Sequence, residues 1–329
     1  MNEKPLVSVI VPIFNVEDYI RECLSSIVEQ TYRDIEVICV NDCTPDNSMS
    51  IVKEIAKNDP RVKVVNNHEN RGLGGARNVG IKKSIGQYIM FIDSDDFLMP
   101  NAIERFVLKI QEDNFDMVFC DVLIGENAAD PYVNHSKPFH NLIFKKNKYI
   151  CPNDNEYFTS IWPSAWNKIY KLDIIKKNNL CYLEKILFED HTFYYDYIGK
   201  CKTVGYIDEA LYFYRINRPN QITRSVSNRI FEIFPVISEI EKRLTKMISP
   251  NRLEEVMAKV KLRLLFERLS IVKKNDPIYK KFLQRSKTVL NVYDEKLLLD
   301  VKDFFIPENS PLLTNNFISK IFKILHNMR

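Results

Sequence analysis

Asp93-Ser94-Asp95-Asp96 follows directly on the apolar run Tyr88-Ile89-Met90-Phe91-Ile92. Carboxylates this close repel, and each raises the others' pKa unless a cation joins them. Hard divalent ions take oxygen ligands, typically one or two carboxylates plus the phosphates of a substrate. The turn therefore proposes a metal-bound nucleotide diphosphate. The plainer alternative is a polar turn in which Asp96 or Ser94 caps a helix starting near Asn101. A second candidate is the Gly-rich stretch Asn70-Arg71-Gly72-Leu73-Gly74-Gly75-Ala76-Arg77-Asn78. It offers flexible backbone, two guanidinium groups and two amides near a helix start. Arg forks suit phosphate geometry, and helix N-termini favour anions; an ordinary charged surface loop is the alternative. A third candidate is Glu189-Asp190, either a facing carboxylate or the acidic first turn of an amphipathic helix.

These residues need a scaffold, and the surrounding pattern supplies one. Leu6 to Asn15 is a near-continuous apolar run rich in Val and Ile, as a strand buried on both faces would be. Ile20, Leu24, Ile27 and Val28 then recur at helical spacing. Ile35 to Val40 reads as a second strand ending in Asn41-Asp42-Cys43-Thr44-Pro45, with Asp46 or Asn47 able to cap a helix over 51–56. Val62 to Val65 is a third strand, and the loop 66–75 leads into the segment 76–84. Tyr88 to Ile92 is a fourth strand, Ala102 to Ile110 a helix, and Met117 to Val122 a fifth strand. Strands alternating with helices predict an α/β fold with a mostly parallel sheet. Ligands of such sheets bind beyond the carboxyl ends of the strands. Asn15, Asp42 and Asp93 to Asp96 all stand at those ends. Neither G-x-G-x-x-G nor G-x-x-x-x-G-K-[ST] follows the first strand, so the dinucleotide fingerprint and the P-loop are absent.

Taken in order, Val11-Pro12-Ile13-Phe14-Asn15, Asn41-Asp42-Cys43-Thr44-Pro45-Asp46-Asn47-Ser48, Asn70-Arg71-Gly72 with Ala76-Arg77-Asn78, and Asp93-Ser94-Asp95-Asp96 resemble the family 2 glycosyltransferases. The likeness continues at Ala165-Trp166-Asn167-Lys168-Ile169-Tyr170, at Phe188-Glu189-Asp190-His191 and at Tyr212-Phe213-Tyr214-Arg215. It covers about the first 225 residues. The resemblance implies an inverting enzyme of GT-A fold that uses a nucleotide-diphosphate sugar. It implies that Asp42 holds the nucleotide base, with Pro12 and Phe14 lining its pocket and Asn15 among the nucleotide-sugar-binding residues. Asn70 and Arg77 would support base and phosphates, Asp93 would meet the ribose or the metal, and Asp95 would coordinate the metal, Mn²⁺ or Mg²⁺. Asp190 would be the general base, and Arg215 would approach the diphosphate or the acceptor. The chain departs from the family's common paired acids at Asn41, and from its Gly at Cys43.

The chemistry asks for such a set. Breaking a sugar–phosphate bond needs a stabilised diphosphate leaving group, which a divalent ion provides. Inversion needs an acceptor hydroxyl opposite that group and a base within hydrogen-bond reach. The expected function is transfer of a hexose or N-acetylhexosamine from a UDP-sugar to a glycan or lipid-linked acceptor, in surface polysaccharide or lipooligosaccharide synthesis. Two rivals stand beside it: a sugar-phosphate nucleotidyltransferase, and a non-catalytic nucleotide-sugar-binding subunit. Trp162 and Trp166 could each stack on a sugar ring or pack in the core.

The 329 residues predict one large domain with an appendage, or two domains: a catalytic unit over 1–225 and a basic helical region over 226–329. The seven cysteines form no C-x-x-C pair, which suits a reducing compartment. No signal peptide is evident, and no apolar run approaches the ~20 residues of a membrane-spanning helix, so a cytoplasmic or peripheral protein is expected. Residues 251–290 read as helical throughout, with eleven Lys+Arg against four Asp+Glu. Residues 316–329 form a basic amphipathic helix that could meet an anionic membrane surface or dock on protein. Residues 124–160 read as loops and small strands over the site. Nucleic acid is not an expected partner, since no recognisable binding motif accompanies the basic region; oligomerisation is left open.

Overall fold

A computed structural model describes residues 4–127, 132–134, 161–219, 227–273 and 275–290. The expected helix at 316–329 and most of the expected loops over 124–160 lie outside them.

The N-terminal half alternates as its pattern predicts. β1 (Val7–Ile13), β2 (Ile35–Asn41), β3 (Val62–Asn66) and β4 (Tyr88–Phe91) are linked by α1 (Ile20–Val28), α2 (Ser48–Asn58) and α3 (Gly72–Lys83). β1 pairs in parallel with both β2 and β4, and β2 with β3. Every residue of β1 and β4 is buried, which explains their unbroken apolar runs. Asp46 proves to be the side chain that braces α2: its carboxylate accepts from the Ser48 amide and hydroxyl.

Beyond β4 the sheet is mixed. β5 (Phe97–Leu98), β6 (Met117–Gly125), β7 (Tyr132–Asn134), β8 (Lys168–Lys171) and β9 (Val204–Arg215) complete nine strands, in the order β3-β2-β1-β4-β8-β6-β9-β5 with β7 beside β6. β8 is antiparallel to both neighbours, whereas β6 and β9 run parallel. α4 (Ala102–Glu112), α5 (Leu172–Lys177) and α6 (Glu189–Ile198) cover this half.

The C-terminal helices are α7 (Ile233–Leu244), α8 (Pro250–Ile271) and α9 (Pro277–Val289). The stretch read as continuously helical is therefore broken. Asp276 accepts from the Ile278 amide and caps α9, and Pro277 takes its first position. Ile233, Val236, Ile240, Val260 and Leu264 share one apolar cluster with Phe91, Phe193 and Tyr197, so these helices close the core behind α6. No helix among the described residues is long and apolar enough to cross a membrane.

Candidate active site

The strand ends meet at α3. β1 runs out into Phe14, 45% exposed, and Asn15, whose backbone turns left-handed (φ 54°) and whose amide donates to Thr44 Oγ1 at 2.8 Å. Pro12 is buried within β1. Asp42 follows β2 and is buried. Its Oδ1 accepts from Asn67 Nδ2 (2.7 Å) and from the Arg71 amide (2.9 Å) at the start of α3. Asn70 Nδ2 donates to the Asp42 carbonyl at 3.2 Å, while its Oδ1 accepts from the Gly72 amide. The Asn41 amide side chain accepts from the Thr44 amide and donates to Asn66 Oδ1. It thus pins two loops at once, leaving Asp42 at the edge.

Arg77, one and a half turns along α3, is 1% exposed. Its guanidinium donates to Asp93 Oδ1 at 2.6 Å and to Glu189 Oε1 at 2.7 Å. A single buried cation therefore ties the acidic turn after β4 to the start of α6, beside Asp190. Charge-assisted contacts of this length are among the strong hydrogen bonds.

The acidic turn divides its labour. Asp96 is buried, accepts from Tyr212 Oη at 2.6 Å and from the Arg215 amide at 2.8 Å, and so anchors the turn to β9. It does not cap α4. Asp95 pairs with Arg218, and Arg215 donates to the carbonyls of Asp95 and Glu126 and pairs with Glu22. Burial raises the Asp95 pKa despite Arg218, and burial plus the charges of Asp95 and Asp93 raise that of Asp96 well above the carboxylate range. Among the described residues no three His, Cys, Asp or Glu side chains converge into a metal cage. A hard divalent cation can also bind through one or two carboxylates and a substrate's phosphates, and Asp93 and Asp95 would be the residues to offer oxygens to it.

The opposite wall is built by close approach to α3. A Cβ on Gly74 would lie 2.1 Å from the Leu183 carbonyl oxygen, so only glycine lets residues 182–184 lie against the helix. Asn78 exchanges hydrogen bonds with the Tyr182 backbone (2.8 and 3.0 Å), and Arg71 forks onto Glu184. Phe188 turns left-handed (φ 67°) and starts α6. Burial pushes Glu189 up to about 7 against the pull of Arg77. The Asp190 carboxyl, 24% exposed, is raised by burial, which Arg77, Arg268 and Lys168 oppose. His191 Nδ1 lies 3.6 Å from Asp190 Oδ1, too far for a hydrogen bond. Burial pushes its pKa down to about 3, so the ring is neutral.

Nearby, Lys168 Nζ is buried among Trp162 O, Ser164 O, Ser164 Oγ and Asn167 Oδ1 at 2.6–3.1 Å. Trp166 stacks against Tyr212 and Tyr214 and belongs to the packing. Trp162 is 49% exposed, with Arg263 over its ring at 5.2 Å.

The sequence shows Asp42, Asn70, Arg77, Asp93, Asp95 and Asp190 as separate signals; the start of α3 joins Asp42 and Asn70, Arg77 joins Asp93 to Glu189 next to Asp190, and Asp95 is held instead by Arg218. Arg215 sits under the turn, with its guanidinium engaged by Glu22 and two carbonyls. Glu189 as the partner of Arg77, and Arg218, Arg263 and Arg268, were missed. Nothing local in the sequence marks them. A groove of about 350 Å³ lined by Lys200, Lys242, Arg243 and Lys246 shares none of these residues.

The family model Glycosyl transferase family 2 matches residues 8–170. The chain is 36% identical to EpsJ of Bacillus subtilis (strain 168) over 220 residues, 67% of this chain and 63% of that protein, just under two thirds of its length. It is 33% identical to EpsH of the same organism over 263 residues, 77% of this chain and 72% of that one. Both are described as glycosyltransferases. The crystal structure of S. aureus TarS 1-349 in complex with UDP-GlcNAc superposes with TM-score 0.70 at 20% identity, covering 89% of this chain and 83% of that one.

Proposed function

Because the chain belongs to glycosyl transferase family 2, we propose that it moves a hexose or N-acetylhexosamine from a UDP-sugar to a hydroxyl of a glycan or lipid-linked acceptor, with inversion. The observation that carries this reading is the Arg77 bridge, which joins the acidic turn to the carboxylates that open α6. The UDP-GlcNAc held by TarS, on a similar fold, supports the choice of donor class.

In this reading Asp42, Pro12, Phe14 and Asn15 receive the nucleotide base at the ends of β1 and β2. Asn70 keeps the loop before α3 in place. Asp93 and Asp95 would hold a divalent cation, Mn²⁺ or Mg²⁺, which supplies charge neutralisation to the departing diphosphate. Asp190 takes the proton of the acceptor hydroxyl as that oxygen attacks the anomeric carbon. A raised but still ionisable carboxyl suits a base working near neutral pH. Arg77 keeps donor edge and base in one register, which serves the positioning part of catalysis.

The test is UDP release from UDP-glucose, UDP-galactose and their N-acetyl forms in the presence of Mn²⁺. The wild type should turn over at least one, and Asp190→Asn should lose about 10²- to 10⁴-fold while still binding UDP. Near-normal turnover by Asp190→Asn would remove Asp190 from the role of base.

A further inference from the structure

We propose that Arg268, on α8 far from the strand-end motifs, is a positioning residue for Asp190: its guanidinium clamps Phe188, the residue that starts α6, and supplies fixed positive charge beside the carboxylate. The inference rests on the reading of Asp190 as the base.

The geometry begins with a strained residue. Phe188 holds φ at +67°, a conformation that bulky side chains rarely adopt. Such residues persist only where their surroundings over-determine them. The Arg268 guanidinium carbon sits 4.6 Å from the Phe188 ring centroid, and the His191 ring stacks on Phe188 with planes 8° apart. The Arg268 side chain is largely buried, and its Nε has no hydrogen-bond partner. Its contact with Glu267 is 3.5 Å, while Glu267 receives a closer 3.0 Å bond from Arg263. The guanidinium is therefore seated chiefly on the aromatic ring, as a cation–π contact. Phe188, Glu189 and Asp190 are consecutive, so fixing this ring fixes where α6 begins and where Asp190 projects.

Charged and titratable groups from several elements surround Asp190. Arg77 reaches it from α3 but is shared with Asp93 and Glu189. Lys168 reaches it from β8, yet burial pushes that amine down to about 7, so it carries only part of a charge at neutral pH. Glu189 precedes it on α6 with a pKa of about 7, and His191 follows it as a neutral ring. Tyr170 and Tyr182 stay protonated, since burial raises both. Glu267 and Arg263 face His191 from α8. Arg268 is thus a cation of permanent charge acting on Asp190, and it lowers that carboxyl's pKa.

Arg268→Met and Arg268→Gln remove the charge and weaken the clamp; Arg268→Lys keeps the charge. Removing a cation raises the Asp190 pKa, so the acidic limb of kcat/KM for UDP release moves to higher pH. The expected displacement is about one unit, the low end for a neighbouring opposite charge, which is about tenfold in rate below the limb. Arg268→Lys should leave the limb in place. The assay uses the full chain with the four UDP-sugars and Mn²⁺, and circular dichroism verifies the fold. A second readout needs no turnover: the ¹³C carboxyl titration of Asp190, assigned by its loss in Asp190→Asn, should move by the same amount. An unmoved limb and titration in both Arg268→Met and Arg268→Gln, or an equal move in Arg268→Lys, overturns the proposal. If Asp190→Asn retains full activity, the reading of the base fails instead, and the two failures are distinct.

Discussion

Arg77→Met tests the bridge on which the site is built. The side chain is 2% exposed; its partners Glu189 and Asp93 are 7% and 20% exposed. Removing one member of a buried ion pair strands its partner, at about 3–5 kcal/mol. Glu189 bears most of that cost, because Asp93 can regain water. The Tyr182 ring, 5.3 Å from the Arg77 guanidinium carbon, adds about 1 kcal/mol. The cost must also depend on pH. Glu189 titrates in the folded chain at about 7, above its ordinary value. A carboxyl raised in this way contributes stability that is present at low pH and lost as pH rises through its folded pKa. Without Arg77 the folded pKa climbs further, so the variant loses more stability than the wild type as pH rises. Urea unfolding at about pH 5 and about pH 8 should show a deficit that grows by at least about 1 kcal/mol at the higher pH. Arg77→Met/Glu189→Gln should recover about 2 kcal/mol, since no orphaned carboxylate remains at that end. A deficit below about 1 kcal/mol, or one equal at both pH values, refutes the bridge as a buried ionic tie.

Gly74→Ala should destabilise by about 1–3 kcal/mol and weaken UDP binding, because its methyl group cannot coexist with the Leu183 carbonyl at 2.1 Å; an unchanged urea midpoint would show that residues 182–184 do not lie against α3. Excess chelator should abolish UDP release by the wild type, and Mn²⁺ should restore it. Undiminished turnover in chelator would mean that Asp93 and Asp95 act without a metal ion.

How much of this was legible in the sequence follows from where the information resides. β1, β2 and β4 are almost wholly buried, so they announce themselves as largely apolar runs, while β3 at the sheet edge is half-exposed; the polar residues that end these strands mark the site edge. The short strands are silent: β5 is two residues, and β8 is Lys-Ile-Tyr-Lys, which no periodicity separates from a loop. α3 starts at Gly72, inside a stretch whose glycines argue for a loop, because close approach to residues 182–185 outweighs helix propensity there. Carboxylates at strand ends could be found one by one. Their pairing with cations could not, since Arg77 meets Glu189 across 112 residues and Arg218 meets Asp95 across 123.

That limit also decides what Arg77 does. From its place beside a helix start, a phosphate was a natural partner for its fork. In the folded chain both arms of the fork are committed. Arg77 has N–H donors to spare, but it is 1% exposed, so a phosphate would reach it only by displacing Asp93 or Glu189, leaving a buried carboxylate without its cation at a cost of about 3–5 kcal/mol. A single charge-assisted hydrogen bond to phosphate returns about 1.5–3 kcal/mol. The exchange is unfavourable, so in the proposed reading Arg77 would serve the diphosphate through the position it gives Asp93. Arg77→Lys separates the two roles. A lysine keeps the charge that a phosphate needs but cannot span two carboxylates with a rigid fork. UDP binding by that variant should therefore fall together with its urea midpoint; retained binding beside a lowered midpoint would show direct phosphate contact instead.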